Sequence, residues 1–263
     1  MMKKTCYILF VCCLSILIVH EFKKNFSDNE PGDRTYIPTA RFLSQVQEEN
    51  KKAGKKIAYL TFDDGPSETT EQILDILKEK GVKATFFLIG EEIRDNRIEI
   101  VKREIKEGHS VGVHTQCHRQ KEIYSTYEDF EKDFMMAYEK IEKVTGEFPV
   151  LHRYPWGSTN GMLRPFYTKA QNHLTSLGIR SYDWNCSGED SVGKPSHQSI
   201  LKNIKKDYGR YTQPIILLHD SSQTKKTAEV LGEVIDMIKE DGYEFRSLES
   251  RMDSYMFPKE WRK

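Results

Sequence analysis

Short apolar runs alternate with stretches of helical period along most of this chain. IAYLTF (57–62) is a compact apolar run and reads as a buried strand. A helix is expected next, opened by a capping box from Thr69 to Gln72, with Ile73, Ile76 and Leu77 at helical spacing. ATFFLI (84–89) predicts a second strand, and RIEIVKREIKEG (97–108) a helix with Ile98, Val101 and Ile105 along one side. HSVGVH (109–114) predicts a third strand. The stretch 127–146 predicts a long helix that buries Phe130, Phe134, Ala137, Ile141 and Val144 and closes at Gly146. VLHRY, IRSYDW, IILLH and YEFRSL predict further strands, with helices between them near 162–177, 197–208 and 226–240.

Strands alternating with helices predict parallel β/α units, in an open doubly wound sheet or a closed barrel. The positions of the polar residues favour the barrel. Asp63, His114, Arg153 and His219 all stand at the C-terminal ends of predicted strands. Strand ends converge on one face in an α/β barrel, and chemistry gathers there. The expected fold is therefore α/β: a distorted (β/α) barrel of about seven strand–helix units, preceded by an N-terminal membrane anchor.

That anchor is the run TCYILFVCCLSILIVH at 5–20, uncharged and preceded by Lys3 and Lys4. The two lysines favour a cytoplasmic start for residues 1–4. No small-x-small cleavage site follows the run, so an uncleaved signal anchor is expected over a cleaved signal; either exports the body of the protein. Residues 21–54 are polar and read as a spacer, with a short helix near 41–52. The folded domain is expected over 55–250 and a C-terminal tail over 251–263. Expected localisation is the cell membrane, single-pass, with the domain outside.

Composition narrows the partners. Forty Lys and Arg balance 40 Asp and Glu, which leaves no electrostatic footprint for nucleic acid. Three of the five cysteines (Cys6, Cys12 and Cys13) lie in the apolar N-terminal run, and Cys117 and Cys186 alone do not make a disulfide framework. The protein is expected to be a monomer.

The chemistry begins at TFDDGP, where Asp63 and Asp64 stand side by side after an apolar strand. Adjacent like charges repel, and a cation would relieve them. VGVHTQCHRQ supplies His114 and His118, four apart, with a turn between to bring them together. Two histidines and a carboxylate form a divalent-metal site with open positions. One acid would bind the metal and the other would remain a base toward an acidified water, a set that hydrolyses an amide or an ester.

TFDDGP, HTQCH, RYPWG and LLHD, in this order, resemble the polysaccharide deacetylase (NodB homology) family, carbohydrate esterase family four, over residues 55–248. The resemblance implies a distorted barrel and a hydrolase that removes acetyl groups from glycans. It also implies a divalent metal, expected to be zinc, with cobalt, nickel or manganese as alternatives. Residue by residue, it makes Asp63 the catalytic base and Asp64, His114 and His118 the metal ligands. Arg153 would hold the base carboxylate, and the backbone N–H of Trp156 would support the oxyanion. Leu217 would line the acetyl pocket and His219 would protonate the leaving amine. RYPWGSTN and DWN also resemble an exported Gram-positive subset acting on cell-wall glycan. The expected substrate is thus peptidoglycan N-acetylglucosamine or N-acetylmuramic acid.

One stretch departs from the family pattern. In SYDWNCSGEDS, aligned on Trp184, Ser187 falls where an aspartate behind the acid histidine is expected, and Ser191 replaces a tryptophan. Asp183, Ser187 and Asp190 are therefore the candidates for tuning His219. The departure gives the competing reading, a non-catalytic wall-binding protein of the same fold. An iron(II) oxygenase would leave the second aspartate, Arg153 and His219 without a role, and a zinc peptidase would need an H-E-x-x-H stretch that is missing.

Overall fold

The computed structural model describes residues 55–261. The expected anchor, the spacer and the helix near 41–52 lie outside the described residues. Among the described residues, no helix is long and apolar enough to cross a membrane.

Among the described residues, eight strands form one sheet, and every pairing in it is parallel. They are β1 (Ile57–Asp63), β2 (Thr85–Ile89), β3 (Ser110–Thr115), β4 (Leu151–His152), β5 (Arg180–Ser181), β6 (Cys186–Ser187), β7 (Ile215–His219) and β8 (Glu244–Phe245). The order is β5-β4-β3-β2-β1-β7-β6, and β8 pairs with the start of β1 at Ile57 and Ala58. β5 and β6 end this path, yet they are consecutive in the chain. Residues 182–185 join them covalently where no ladder does. The run IRSYDW, expected as one strand, is in fact bent here. This is why an eighth short strand, Cys186–Ser187, stands beyond the seven in the sequence pattern.

Seven helices accompany the sheet among the described residues: α1 (Glu68–Lys80), α2 (Ile98–Lys106), α3 (Gln120–Tyr124), α4 (Tyr127–Thr145), α5 (Tyr167–Ser176), α6 (His197–Asp207) and α7 (Lys225–Glu240). The capping box of α1 is displaced from the expected Thr69–Gln72. Ser67 is the N-cap; its hydroxyl accepts the Thr69 N–H (3.0 Å), and Thr70 Oγ1 accepts the Ser67 N–H (2.8 Å). A threonine thus does the work that the pattern assigned to a longer side chain. α4 buries Phe130, Phe134, Ala137 and Ile141 as expected and ends on Gly146 in the left-handed region (φ 75°). The helix expected from 162 starts at Tyr167, after a single turn of 3-10 helix that contains Pro165.

Strand alternation builds the site. On β1, Ala58, Leu60 and Phe62 face the helices and join the large core. Ile57 and Tyr59 face the other way, into a second cluster with Phe87, Leu151, Tyr182, Ile215 and Leu248. This second cluster fills the inside of the curved sheet. Gly112 marks how tightly: a Cβ there would lie 2.8 Å from the Phe87 ring and 2.9 Å from Leu151 Cβ. Continuing each inward row by steps of two leads to Thr61 and Asp63 on β1, His114 on β3, Arg153 after β4, and Leu217 and His219 on β7. Period two in a parallel sheet thus delivers the polar residues together, on top of an apolar plug.

Candidate active site

Asp63 and His219 are register partners on adjacent strands, so their side chains leave the sheet side by side. Asp63 is buried. Its Oδ1 accepts from Arg153 Nη1 at 2.8 Å. Arg153 is itself fully buried, and all three of its nitrogens donate: Nε to Tyr182 O (2.9 Å), Nη1 also to Thr61 Oγ1 (2.7 Å), and Nη2 to Asp183 O (3.3 Å). Its guanidinium lies 4.4 Å from the Phe87 ring centroid, at the lid of the apolar plug. Burial pushes the Asp63 carboxyl above its usual range, and the charge of Arg153 pulls it back part of the way.

Asp64 takes a different direction. Its φ of 80° turns the chain off the strand, so the second carboxylate does not follow the first. Asp64 Oδ1 lies 3.5 Å from His114 Nε2 and 3.4 Å from His118 Nε2. The imidazoles of His114 and His118 stack at 5.2 Å. His114 Nδ1 donates to Arg153 O at 2.9 Å, which fixes the tautomer and leaves Nε2 as a lone pair toward Asp64. Burial holds His114 neutral, down to about 3. Asp64 Oδ1 is buried with no hydrogen-bond partner in the protein.

These three residues fit a divalent ion. One ligand atom from each lies within 4.8 Å of the others, two are imidazole nitrogens, and the third is an orphaned carboxylate oxygen. Asp63 Oδ2 is 4.0 Å from His114 Nε2, at the edge of this set but held by Arg153. Backbone strain gathers here as well: of the four non-glycine residues with positive φ among those described, Asp64, His118 (51°) and Trp156 (61°) all belong to this cleft.

His118 is returned to the cleft by a buried residue that the sequence pattern did not single out. Asp133 on α4 accepts the Thr115 hydroxyl (2.5 Å), the Gln116 N–H (2.8 Å) and the Cys117 N–H (3.2 Å). It clamps the turn between the two histidines. Cys117 and Cys186 are both free thiols; burial pushes the Cys117 thiol up to about 11.

His219 has one clear partner. Asp190 Oδ1 lies 2.8 Å from its Nδ1. Asp190 is therefore the carboxylate behind this histidine, and the other two candidates are engaged elsewhere. Ser187 Oγ accepts the Glu189 N–H, and Asp183 accepts from Ser158 and from the Phe257 N–H. Ser187 is the register partner of Leu217 on β7, but its hydroxyl is taken by the Glu189 N–H; the chain turns at Glu189 (φ 52°), and it is Asp190 beyond that turn whose carboxylate reaches the His219 ring. Ser191 Oγ stands 3.4 Å from His219 Nε2, on the open side of the ring.

Trp156 is 45% exposed and lies over His118, ring centroids 4.6 Å apart. Leu217 is buried on β7, two residues before His219. Tyr124 lies buried under Trp156 and Trp184 is half-buried, while His109 and His152 are buried structural residues. Asp220, inside the LLHD stretch, had no expected role. It is fully buried, accepts the Thr70 hydroxyl at 2.5 Å, and is so close to Gly65 that a Cβ there would lie 2.2 Å from its Oδ2. Burial raises its carboxyl to about 8.

Residues 50–177 match the family described as polysaccharide deacetylase. A putative polysaccharide deacetylase of Bacillus subtilis, YheN, is 34% identical over 204 residues, which are 76% of this chain and 69% of that protein. A peptidoglycan-N-acetylglucosamine deacetylase of Bacillus cereus is 34% identical over 198 residues, 73% of this chain and 69% of that protein. Among solved structures, the catalytic domain of peptidoglycan N-acetylglucosamine deacetylase from Eubacterium rectale aligns with a TM-score of 0.70 at 30% identity, covering 76% of this chain and 92% of that one.

Proposed function

This chain belongs to the polysaccharide deacetylase family, and from that premise we propose that it hydrolyses N-acetyl groups of an extracellular glycan, namely N-acetylglucosamine of peptidoglycan, with zinc in its site. The observation that carries the reading is the division of labour between two adjacent acids. Asp64 faces two imidazole nitrogens, while Asp63 is held by Arg153 and faces His219. The substrate rests on the likeness to the peptidoglycan N-acetylglucosamine deacetylases of Bacillus cereus and Eubacterium rectale.

Asp64, His114 and His118 would hold the ion. When bound, it would polarise the acetyl carbonyl and acidify a water. The chain's own residues do the rest. Asp63 takes the proton of the attacking water, with Arg153 orienting its carboxylate. The Trp156 backbone N–H donates to the carbonyl oxygen as negative charge builds on it. Leu217 closes the methyl side. His219, with Nδ1 occupied by Asp190, delivers a proton from Nε2 to the sugar nitrogen. The carbon–nitrogen bond breaks, and acetate and the free amine leave. The non-catalytic alternative drew on the altered stretch behind His219; Asp190, at 2.8 Å from that ring, supports the catalytic reading over it.

The domain acts outside the membrane on this reading, carried there by the apolar run at 5–20. The test is acetate release by the full-length zinc-loaded chain from N-acetylglucosamine oligomers and from purified peptidoglycan, with Asp63→Asn as control. Acetate that vanishes in the control supports the proposal. A metal-bound chain that releases none from either glycan overturns it.

A further inference from the structure

Residues 251–261 read as a tail in the sequence, but they run beside the cleft and are fastened to it. Tyr182 Oη donates to Arg251 O (3.0 Å), the Asp183 N–H donates to Tyr255 O (2.6 Å), and the Phe257 N–H donates to Asp183 Oδ2 (2.6 Å). Asp183 is buried, and its carboxylate also takes the Ser158 N–H (2.9 Å) and hydroxyl (2.5 Å). One side chain therefore ties the C-terminal segment to the Trp156 loop. The carbonyl of the same residue accepts from Arg153, which holds Asp63.

This anchoring sets up a series of aromatic rings that starts beside Arg153, behind the base Asp63, and ends in solvent. The Arg153 guanidinium lies 5.8 Å from the Trp184 ring. Trp184 meets Phe257 edge-on at 5.0 Å, and Phe257 meets Trp261 at 5.6 Å. Trp261 is 64% exposed. Gly157, directly after Trp156, leaves the room: its φ is 76°, and a Cβ there would lie 2.8 Å from Phe257 and 3.2 Å from Trp184. A single exposed tryptophan is ordinary. A connected row of rings, positioned by a buried carboxylate and continuous with a cleft, is not what a solvated terminus needs.

We infer that Phe257 and Trp261, backed by Trp184, form a sugar-binding wall that holds the units of a glycan chain next to the one at Asp63 and His219. A pyranose ring has an apolar face of C–H groups and a rim of hydroxyls. An aromatic side chain buries that face with little entropy to lose and leaves the hydroxyls wet. The inference rests on the glycan reading of the cleft and specifies that the enzyme grips a polymer rather than a single sugar.

The experiment is a calorimetric titration of the full-length Asp63→Asn chain with the dimer and the pentamer of N-acetylglucosamine, repeated with Trp261→Ala added. The pentamer should bind more tightly than the dimer. Trp261→Ala should cut the pentamer-to-dimer affinity ratio about five- to tenfold, as losing an aromatic anchor does, and Trp261→Tyr should restore most of it. An unchanged ratio in Trp261→Ala overturns the inference, as does a parent chain that binds neither oligomer. Trp261 is exposed, so its loss should leave the melting temperature in place. Acetate release by the unsubstituted chain is read in parallel. Length-dependent binding without acetate would sink the deacetylase reading and leave the wall standing.

Discussion

Asp190 grips His219 at two points. Oδ1 lies 2.8 Å from the ring Nδ1, and Oδ2 accepts the backbone N–H of the same residue at 2.7 Å. The Thr227 hydroxyl donates to Oδ2 at 2.5 Å, so the carboxylate cannot turn away. The ring is thereby held with Nδ1 inward and Nε2 toward the cleft. Burial by itself would depress this imidazole; the hydrogen bond and charge of Asp190, with the charges of Asp63 and Asp64, raise it instead to about 9.

An acid that must carry its proton loses function as the pH rises through its pKa. Acetate release should therefore hold through neutral pH and fall as pH passes about 9. Asp190→Asn removes the charge, lowers the pKa of His219 and should move the alkaline limb down by about one unit or more. Stability follows the same sign. The raised pKa contributes to folding fully below the ordinary histidine value and fades as pH rises through about 9. A pH–rate profile of both proteins checks this, and an alkaline limb that stays put in the variant excludes the role given to Asp190.

The two neighbouring acids should separate cleanly under mutation. Asp64→Ala removes the carboxylate oxygen that faces both imidazoles and should lose the bound ion and the activity together. Asp63→Asn should keep the ion and lose about 10²–10⁴ in rate, the usual worth of a general base. A chelator should abolish activity in the parent chain and added zinc should restore it. Metal analysis of the purified variants decides: full occupancy in Asp64→Ala would refute the ligand assignment.

His219 should matter in proportion to how poor the leaving group is. An alkoxide departs more readily than an amine, which must be protonated as the bond breaks. His219→Ala should therefore cost acetamide hydrolysis about 10²–10⁴ and acetyl-ester hydrolysis distinctly less. Rates on an N-acetyl sugar and on an acetyl ester, compared in one preparation, give the answer. Equal losses on both would move His219 from proton donor to structural support.

Much of this site could be read from the chain because strand geometry is periodic. An apolar strand that ends in a polar residue of inward phase already says where that residue will be, and Asp63, His114, Arg153 and His219 obey this. What stayed hidden depended on bends and on long-range contacts. The turn at Glu189 (φ 52°) falls between Ser187 and Asp190, and no spacing counted from Trp184 shows it, so Asp190 could not be told from Ser187. Asp183 fastens the C-terminal segment through contacts 74 residues apart in the chain, as in its bond from Phe257. Asp133 did leave a trace: an acid at a position of α4 where the helical stripe calls for an apolar residue. Such a mismatch between residue and pattern marks a polar group with work to do inside.

That work predicts the effect of removing it. Asp133 accepts two backbone N–H groups and one hydroxyl from the loop that carries His118, and it is buried. Asp133→Ala leaves those donors without an acceptor in a place water reaches poorly. The cost should be about 1–3 kcal/mol of stability for the orphaned groups. The loop would then relax, and His118 would no longer be presented to Asp64 at 3.4 Å. Groups that orient metal ligands from behind typically contribute 10- to 100-fold in affinity, so zinc should bind about that much more weakly. Asp133→Asn keeps one acceptor oxygen and should fall between the two. Metal titration together with chemical denaturation distinguishes this from general damage. If zinc affinity is untouched while stability drops, Asp133 supports the fold alone and His118 is positioned by something else.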